Sequence, residues 1–421
     1  MLLARSVRFT AIPQKVATTV RLLHNERRLM GTQAIALNSA ARQRYLLSLY
    51  FGGFFLTGLE ITLVGPLLPQ FIQRWTLTDS QAGIFFTVQF AASLAGVWLA
   101  SLLTHYFGAR TPLILGYACM GFGLAALNSS SMTLVLFALA ALGMGYGLVV
   151  PPTNLGVAQI GGPKSASLVS LVNFAWGAGA VSCSPLVLIA LRNAALRQFL
   201  YGFAALGSLL TLAFFFAVFQ DSPEEASEAR PKDTANVGIV STVILAALFF
   251  LYVGIEVSLG SWAAAHAKRL PHSGAGLATV APMFFYGGLM VGRALAPLVL
   301  ARVREYRLVL VALFVVLVGN SLVVLAWNQG VAFGSLSLAG LGCATIFPVY
   351  IAWLSRWYGS GANRVSGLMF SMSSLGSAIA PWLVGVVSAH AGGLRIGLLV
   401  PLSSAVVMFL LLLIVRRQAA A

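Results

Sequence analysis

From residue 45 to residue 415 the chain runs through one apolar stretch after another, each about long enough to cross a lipid bilayer. A membrane-crossing helix needs about 20 mostly apolar residues. Twelve such stretches can be placed, near 45–73, 80–105, 111–129, 132–156, 166–191, 198–219, 238–266, 275–300, 307–327, 330–355, 363–390 and 394–415. Hydrocarbon offers no water to free backbone N–H and C=O groups, so each segment is expected to close its own hydrogen bonds as a helix. Composition agrees: 59% of residues are hydrophobic and only 9% charged, against roughly 25% in soluble domains. The expected fold is an all-α membrane protein with twelve transmembrane helices.

The polar remainder organises these segments. Residues 220–237 hold Asp221, Glu224, Glu225, Glu228 and Asp233 with two prolines, the composition of a solvated linker. They divide an N-terminal six-helix bundle, 45–219, from a C-terminal one, 238–417, leaving a short tail at 418–421. Residues 1–44 form a basic tail with Glu26 as its single acid. It has no apolar core ahead of a small-residue cleavage site, so a secretory signal is not expected. A flexible cytoplasmic tail, a start at Met30 and a transit-peptide character all remain open. With the N-terminus cytoplasmic, that side collects the basic tail and Arg42, Arg44, Arg110, Lys164, Arg230, Lys232, Arg302, Arg304, Arg307, Arg356, Arg364, Arg416 and Arg417. The other side has Arg74, Arg192, Arg197, Lys268, Arg269 and Arg395. This bias places both termini inside, as in a bacterial inner membrane protein.

The net charge of +16 lies in these gaps, not on a basic face interleaved with aromatics, so nucleic acid is not an expected partner. Cys119, Cys183 and Cys343 all fall in apolar runs without C-x-x-C spacing, which predicts neither disulfides nor a metal site. No phosphate-binding loop is present. Serine and histidine occur without a base and orienting partner, so neither an enzyme nor a bound cofactor is expected.

An internal repeat sharpens the picture. The run Gly58-Leu59-Glu60-Ile61-Thr62-Leu63 returns as Gly254-Ile255-Glu256-Val257-Ser258-Leu259. Gly96 maps to Gly292, Gly143-Met144-Gly145 with Pro151 to Gly340-Leu341-Gly342 with Pro348, and Gly179 with Pro185 falls near Gly376 with Pro381. Matches in register across several spans predict two pseudo-symmetric six-helix bundles, a transporter plan with its site at their interface near mid-membrane.

Several fragments carry a resemblance. Leu68-Pro69-Gln70-Phe71, then Thr76-Leu77-Thr78 and Gln81-Ala82-Gly83, resembles the end of span 1 and the start of span 2 in the fucose–galactose–glucose:proton symporter family. Span 10, with Gly340-x-Gly342 and Phe347-Pro348, and span 11, with Ser366-Gly367, Leu375-Gly376 and Pro381-Trp382, are similar to that family too. The chain is thereby identified as resembling the major facilitator superfamily over residues 45–417. The resemblance implies alternating access, a hexose or related sugar as solute, and a proton gradient as driving force. Between spans 2 and 3 the superfamily signature G-x-x-x-D-R-x-G-R-R is reduced here to Gly108 and Arg110, with His105 at the Asp position. The family's proton-linked Asp in span 1 falls on Gly65, and span 4 has no acid. Neither role is carried over, which leaves Glu60 as the nearest carboxyl.

Glu60 and Glu256 are the acids that fall inside spans. An intramembrane carboxylate is costly unless protonated, paired or wet, so both are candidates to bind solute or take up a proton. The plainer role is a bridge between helices. Arg293 in span 8 either snorkels to water or pairs with an acid during gating. Gln89, Asn173, Trp176, Trp262, Tyr286 and Asn320 complete the candidate set, as amides and aromatic platforms suited to a sugar. The amides serve equally well as interhelical hydrogen bonds, and the tryptophans as interfacial anchors. His105 and His266 are expected near membrane ends and in water. The expected function is a secondary transporter, acting as a monomer in the lipid bilayer on a small-molecule solute. An exporter of cationic or amphipathic drugs and a non-transporting sensor or scaffold are the alternatives.

Overall fold

The computed structural model describes residues 41–161, 165–217, 219, 238–271, 274–300, 302–359 and 362–414. Residues 1–40, the linker 220–237 and the tail 418–421 lie outside the described residues. The compact body described below begins at Leu49.

Twelve apolar helical segments follow one another: α1 (Ala41–Trp75), α2 (Asp79–Phe107), α3 (Arg110–Ala126), α4 (Met132–Gly161), α5 (Ser165–Arg192), α6 (Leu196–Phe216), α7 (Ile239–Lys268), α8 (Ala281–Leu300), α9 (Glu305–Leu325), α10 (Gln329–Tyr358), α11 (Ala362–Ala391) and α12 (Leu394–Ile414). Ten of them are long and apolar enough to cross a membrane, and α3 and α8 stand in the two remaining places. The protein is an integral, multi-pass membrane protein.

Local chemistry explains the breaks and starts. Two segments are interrupted where proline dictates. Pro66 has no N–H to give the carbonyl of Thr62, and its ring crowds that carbonyl. The helix loosens into a turn at Thr62–Leu63, with Leu63 N–H bonded to the Glu60 carbonyl at 3.3 Å and Gly65 N–H to that of Thr62 at 3.3 Å. Pro348 does the same to Ala344, where α10 carries a turn at Ala344–Thr345. α2 starts on a reciprocal cap: the Gln81 N–H donates to the Thr78 hydroxyl at 3.3 Å, and the Gln81 side chain accepts from the Thr78 N–H at 3.0 Å.

The repeat seen in the sequence is also a repeat of packing. A Cβ on Gly143 would strike the Gln89 carbonyl, and one on Gly340 would strike the Phe285 carbonyl. Gly179 lies on the Phe55 carbonyl, and Gly376 on that of Phe250. Gly145 lies on the Gly116 carbonyl, and Gly342 on the Ala312 carbonyl. Each glycine and each partner recurs at nearly one sequence offset, so α2–α4, α1–α5 and α3–α4 contacts reappear as α8–α10, α7–α11 and α9–α10. These helices touch backbone to backbone, as small residues allow in a membrane. Gly143→Val is expected to cost about 1–3 kcal/mol or more and to lower the thermal unfolding midpoint in detergent. Gly52→Ala, inside α1 and in open space, does not lower that midpoint.

Three seams join the first six helices to the last six. α1 meets α7 where Gly65 faces the Gly260 carbonyl, 3.0 Å from its Cβ position. α2 meets α11 through Thr87, whose hydroxyl donates to the Ala378 carbonyl at 2.9 Å, and through Trp98, whose Nε1 donates to the Ser371 hydroxyl at 3.3 Å. α5 meets α8 through Trp176 and Tyr286, edge to face with ring centroids 6.4 Å apart.

Candidate functional site

The charged centre of the molecule is a pair on α7 and α8. Arg293 Nη2 lies 3.9 Å from Glu256 Oε2, with the two side chains 28% and 11% exposed. That distance is an ion pair but not a hydrogen bond. The Glu256 oxygen is taken instead by Tyr252, one helical turn earlier, whose hydroxyl donates to it at 2.5 Å and also lies 3.1 Å from the Cys343 carbonyl of α10. The Arg293 Nε is buried and has no hydrogen-bond partner among the described residues. Its planar fork of donors is therefore only partly used, while its charge is balanced.

The cluster reaches across the α5–α8 seam. Glu256 and Arg293 act electrostatically on Tyr146 of α4, and Glu256 also acts on Tyr286. Trp176 of α5 stands edge-on to Tyr286, and its Nε1 is buried without a partner among the described residues. Both groups of six helices thus contribute: Tyr146 and Trp176 from one, Glu256, Arg293, Tyr252 and Tyr286 from the other. The cluster pairs one acid with one base, Glu256 with Arg293. It offers a donor fork, a carboxylate acceptor, an indole N–H and flat aromatic faces to whatever enters.

Comparison with known proteins agrees with this plan. The Major Facilitator Superfamily model matches residues 50–336. The chain belongs to the Major Facilitator Superfamily. Within that superfamily it is similar to a glucose/galactose transporter of Brucella abortus, 24% identical over 90% of this chain and 94% of the relative. It is also similar to sodium-dependent glucose transporter 1A of Mus musculus, 20% identical over 85% and 92% of the two chains. Among solved structures, the fucose:proton symporter of E. coli shares the fold at TM-score 0.57 and 18% identity, covering 87% of this chain and 98% of that one.

The remaining candidates are spread through this superfamily member. Glu60 sits two residues before the turn in α1, fully buried, and neither of its oxygens has a partner among the described residues. It acts electrostatically on Tyr117 of α3, whose hydroxyl lies against Gly53 of α1. Glu60 therefore faces the interior of the first six helices, whereas Glu256 belongs to the shared cluster. Gln89 donates to the Ile61 carbonyl at 3.2 Å, covering the backbone near the α1 turn. Asn173 donates to the Asn154 side chain at 2.8 Å and to the Val169 carbonyl at 2.8 Å, an α4–α5 tie. Asn320 is fully buried on α9 with both amide atoms unpartnered among the described residues.

Two expectations change. Trp262 is fully buried, and its Nε1 donates to the Pro381 carbonyl at 2.8 Å, so it ties α7 to α11 and offers no platform. Trp262→Phe keeps an aromatic ring there but removes the donor. Stability is expected to fall by about 0.5–1.5 kcal/mol for the lost bond, read as a lower unfolding midpoint. His266 is not in water: it is 2% exposed, and its Nε2 lies 2.9 Å from the Val323 carbonyl of α9. Tyr146 is a member of the cluster that does not stand among the sequence candidates. Its signal in the chain is a polar ring inside the Gly143–Gly147 stretch that packs α4 tightly.

Proposed function

We propose that this chain moves a neutral hexose or a closely related small polar solute by alternating access, in symport with protons. The observation that carries the reading is the Glu256–Arg293 pair, balanced in charge, half satisfied, and set in a cluster built from both groups of helices. A neutral polyol suits such a site: the guanidinium donates to hydroxyl oxygens, the Glu256 carboxyl accepts from hydroxyls through its carbonyl oxygen, and Trp176 and Tyr286 cover an apolar sugar face. The extent of the match to a relative named a glucose/galactose transporter supports the same class. A cationic drug finds less here, because the Glu256 charge is already matched by Arg293.

In this reading Glu256 also carries the proton. Ionised, it holds Arg293. Once protonated, it releases the guanidinium to the solute, so proton and solute favour each other's binding, as linkage requires. The Lys and Arg distribution supports termini on the cytoplasmic side, and the relatives from bacteria support an inner membrane. The chain is proposed to work as a monomer, since one copy supplies both sides of the cluster.

The test is uptake of labelled glucose and galactose into proteoliposomes, with an imposed pH gradient, with a sodium gradient, and with neither. Saturable accumulation driven by the pH gradient is the expected result. Accumulation driven only by sodium would replace the proposed ion, and no sugar flux in any arm, with efflux of an organic cation instead, would overturn the substrate class.

A further inference from the structure

One charged group outside this cluster joins three helices at one end of the molecule. Asp79 opens α2, and Arg269 follows the last residue of α7. Arg269 Nη1 donates to Asp79 Oδ2 at 2.6 Å and its Nη2 to Oδ1 at 2.5 Å, a two-pronged pair. Ser388, near the end of α11, donates its hydroxyl to the same Oδ2 at 2.5 Å. Beside them, Lys268 Nζ donates to Gln73 Oε1 at 3.4 Å. The Asp79 side chain is 10% exposed and that of Arg269 39%, so the carboxylate is sheltered while the guanidinium meets water.

Beneath this pair the seams are tightly packed. A Cβ on Gly385 would strike the Asp79 carbonyl, Gly83 rests on Trp382, and Gly65 faces the Gly260 carbonyl. The rings of Phe86 and Trp262 meet there with centroids 6.2 Å apart. Small residues let the backbones close, and the charges sit outside as a cap. Arg293, past the middle of α8, nonetheless keeps 28% of its side chain exposed. Arg293 thus lies away from this packed end, toward the end where α2 and α8 finish.

We propose that Asp79, Arg269 and Ser388 form the latch that keeps the cavity shut on the side of the α1–α2 and α7–α8 turns, and that breaking it is the step that opens the cavity there. The inference rests on the alternating-access reading. A two-pronged arginine–carboxylate pair has one well-defined geometry, and Asp79 and Arg269 stand on different groups of six helices. Separation of those groups at this end must break it. The pair acts on the balance between closed and open states, not on the solute.

The experiment uses the full chain in liposomes, with Cys119, Cys183 and Cys343 replaced by alanine and Ser261→Cys placed in the seam below the latch. A membrane-impermeant maleimide is added from the latch side. With Asp79 and Arg269 intact, labelling is slow. Asp79→Asn and, separately, Arg269→Gln are expected to speed it about tenfold or more. The exchange Asp79→Arg with Arg269→Asp is expected to restore slow labelling, and the single variants are expected to speed labelling with the thermal unfolding midpoint unchanged, which a merely structural role would not do. Should one single variant fail to fold, the other carries the comparison. Unchanged labelling in the folded single variants, or fast labelling in the charge exchange, would overturn the latch. Hexose counterflow by the unaltered chain is measured in the same liposomes. If counterflow is absent while labelling responds as expected, the sugar reading fails and the latch stands.

Discussion

Arg293→Ala reduces hexose uptake by about a hundredfold or more, to background. Two losses combine. The solute loses a charged donor, worth about 1.5–3 kcal/mol, and Glu256 is left in a largely buried site without its cation. Breaking a fully buried pair costs about 3–5 kcal/mol, and the partial exposure of Arg293 puts this site below that range. A total near 3 kcal/mol corresponds to about a hundredfold in binding. Arg293→Lys keeps the charge but not the planar fork, so it recovers only part of the uptake. Initial rates in proteoliposomes measure both, with thermal unfolding showing that each variant is folded. Uptake within twofold of normal in Arg293→Ala would remove this residue from the site.

Glu256→Gln separates exchange from accumulation. The amide keeps the shape and still accepts from Tyr252, but it no longer gains or loses a proton. Counterflow of labelled hexose persists, while accumulation against a gradient disappears. One pH unit can sustain about a tenfold solute gradient at one proton per solute, and in the variant that ratio falls to one. Glu60→Gln is the comparison. Glu60 is fully buried, acts electrostatically on Tyr117 of the first six helices and forms no ion pair with Arg293 among the described residues, so accumulation is expected to be retained. If Glu60→Gln abolishes accumulation and Glu256→Gln does not, the two carboxyls have exchanged roles.

Much of this is legible in the sequence for one physical reason: the bilayer leaves few solutions. Apolar runs of fixed length must be helices, and the repeat of Gly143 and Gly340, or Gly179 and Gly376, announces where helices touch. Charges inside spans are equally plain, because their cost makes them conspicuous; Glu256 and Arg293 stand out on that ground alone. Orientation about a helix axis is not legible. Trp176 and Trp262 look alike in the chain, yet one holds an N–H without a partner among the described residues beside Tyr286 and the other is bonded to the Pro381 carbonyl. Glu60 and Glu256 occupy matching places in the repeat, yet one faces Tyr117 and the other Arg293. The Asp79–Arg269 pair is invisible in the chain because both residues end ordinary spans, and only the fold brings positions so far apart in sequence together.

Solute is expected to sit between Tyr146 and the Glu256–Arg293 pair, and the effects of Arg293→Ala and Glu256→Gln on uptake depend on that placement. Its most direct test is solute protection of Tyr146→Cys in the background lacking Cys119, Cys183 and Cys343. Saturating glucose or galactose should slow alkylation at that position, with half-protection at the concentration that half-saturates uptake. Alkylation that proceeds at one rate with and without sugar, in a protein that still transports it, would contradict the account.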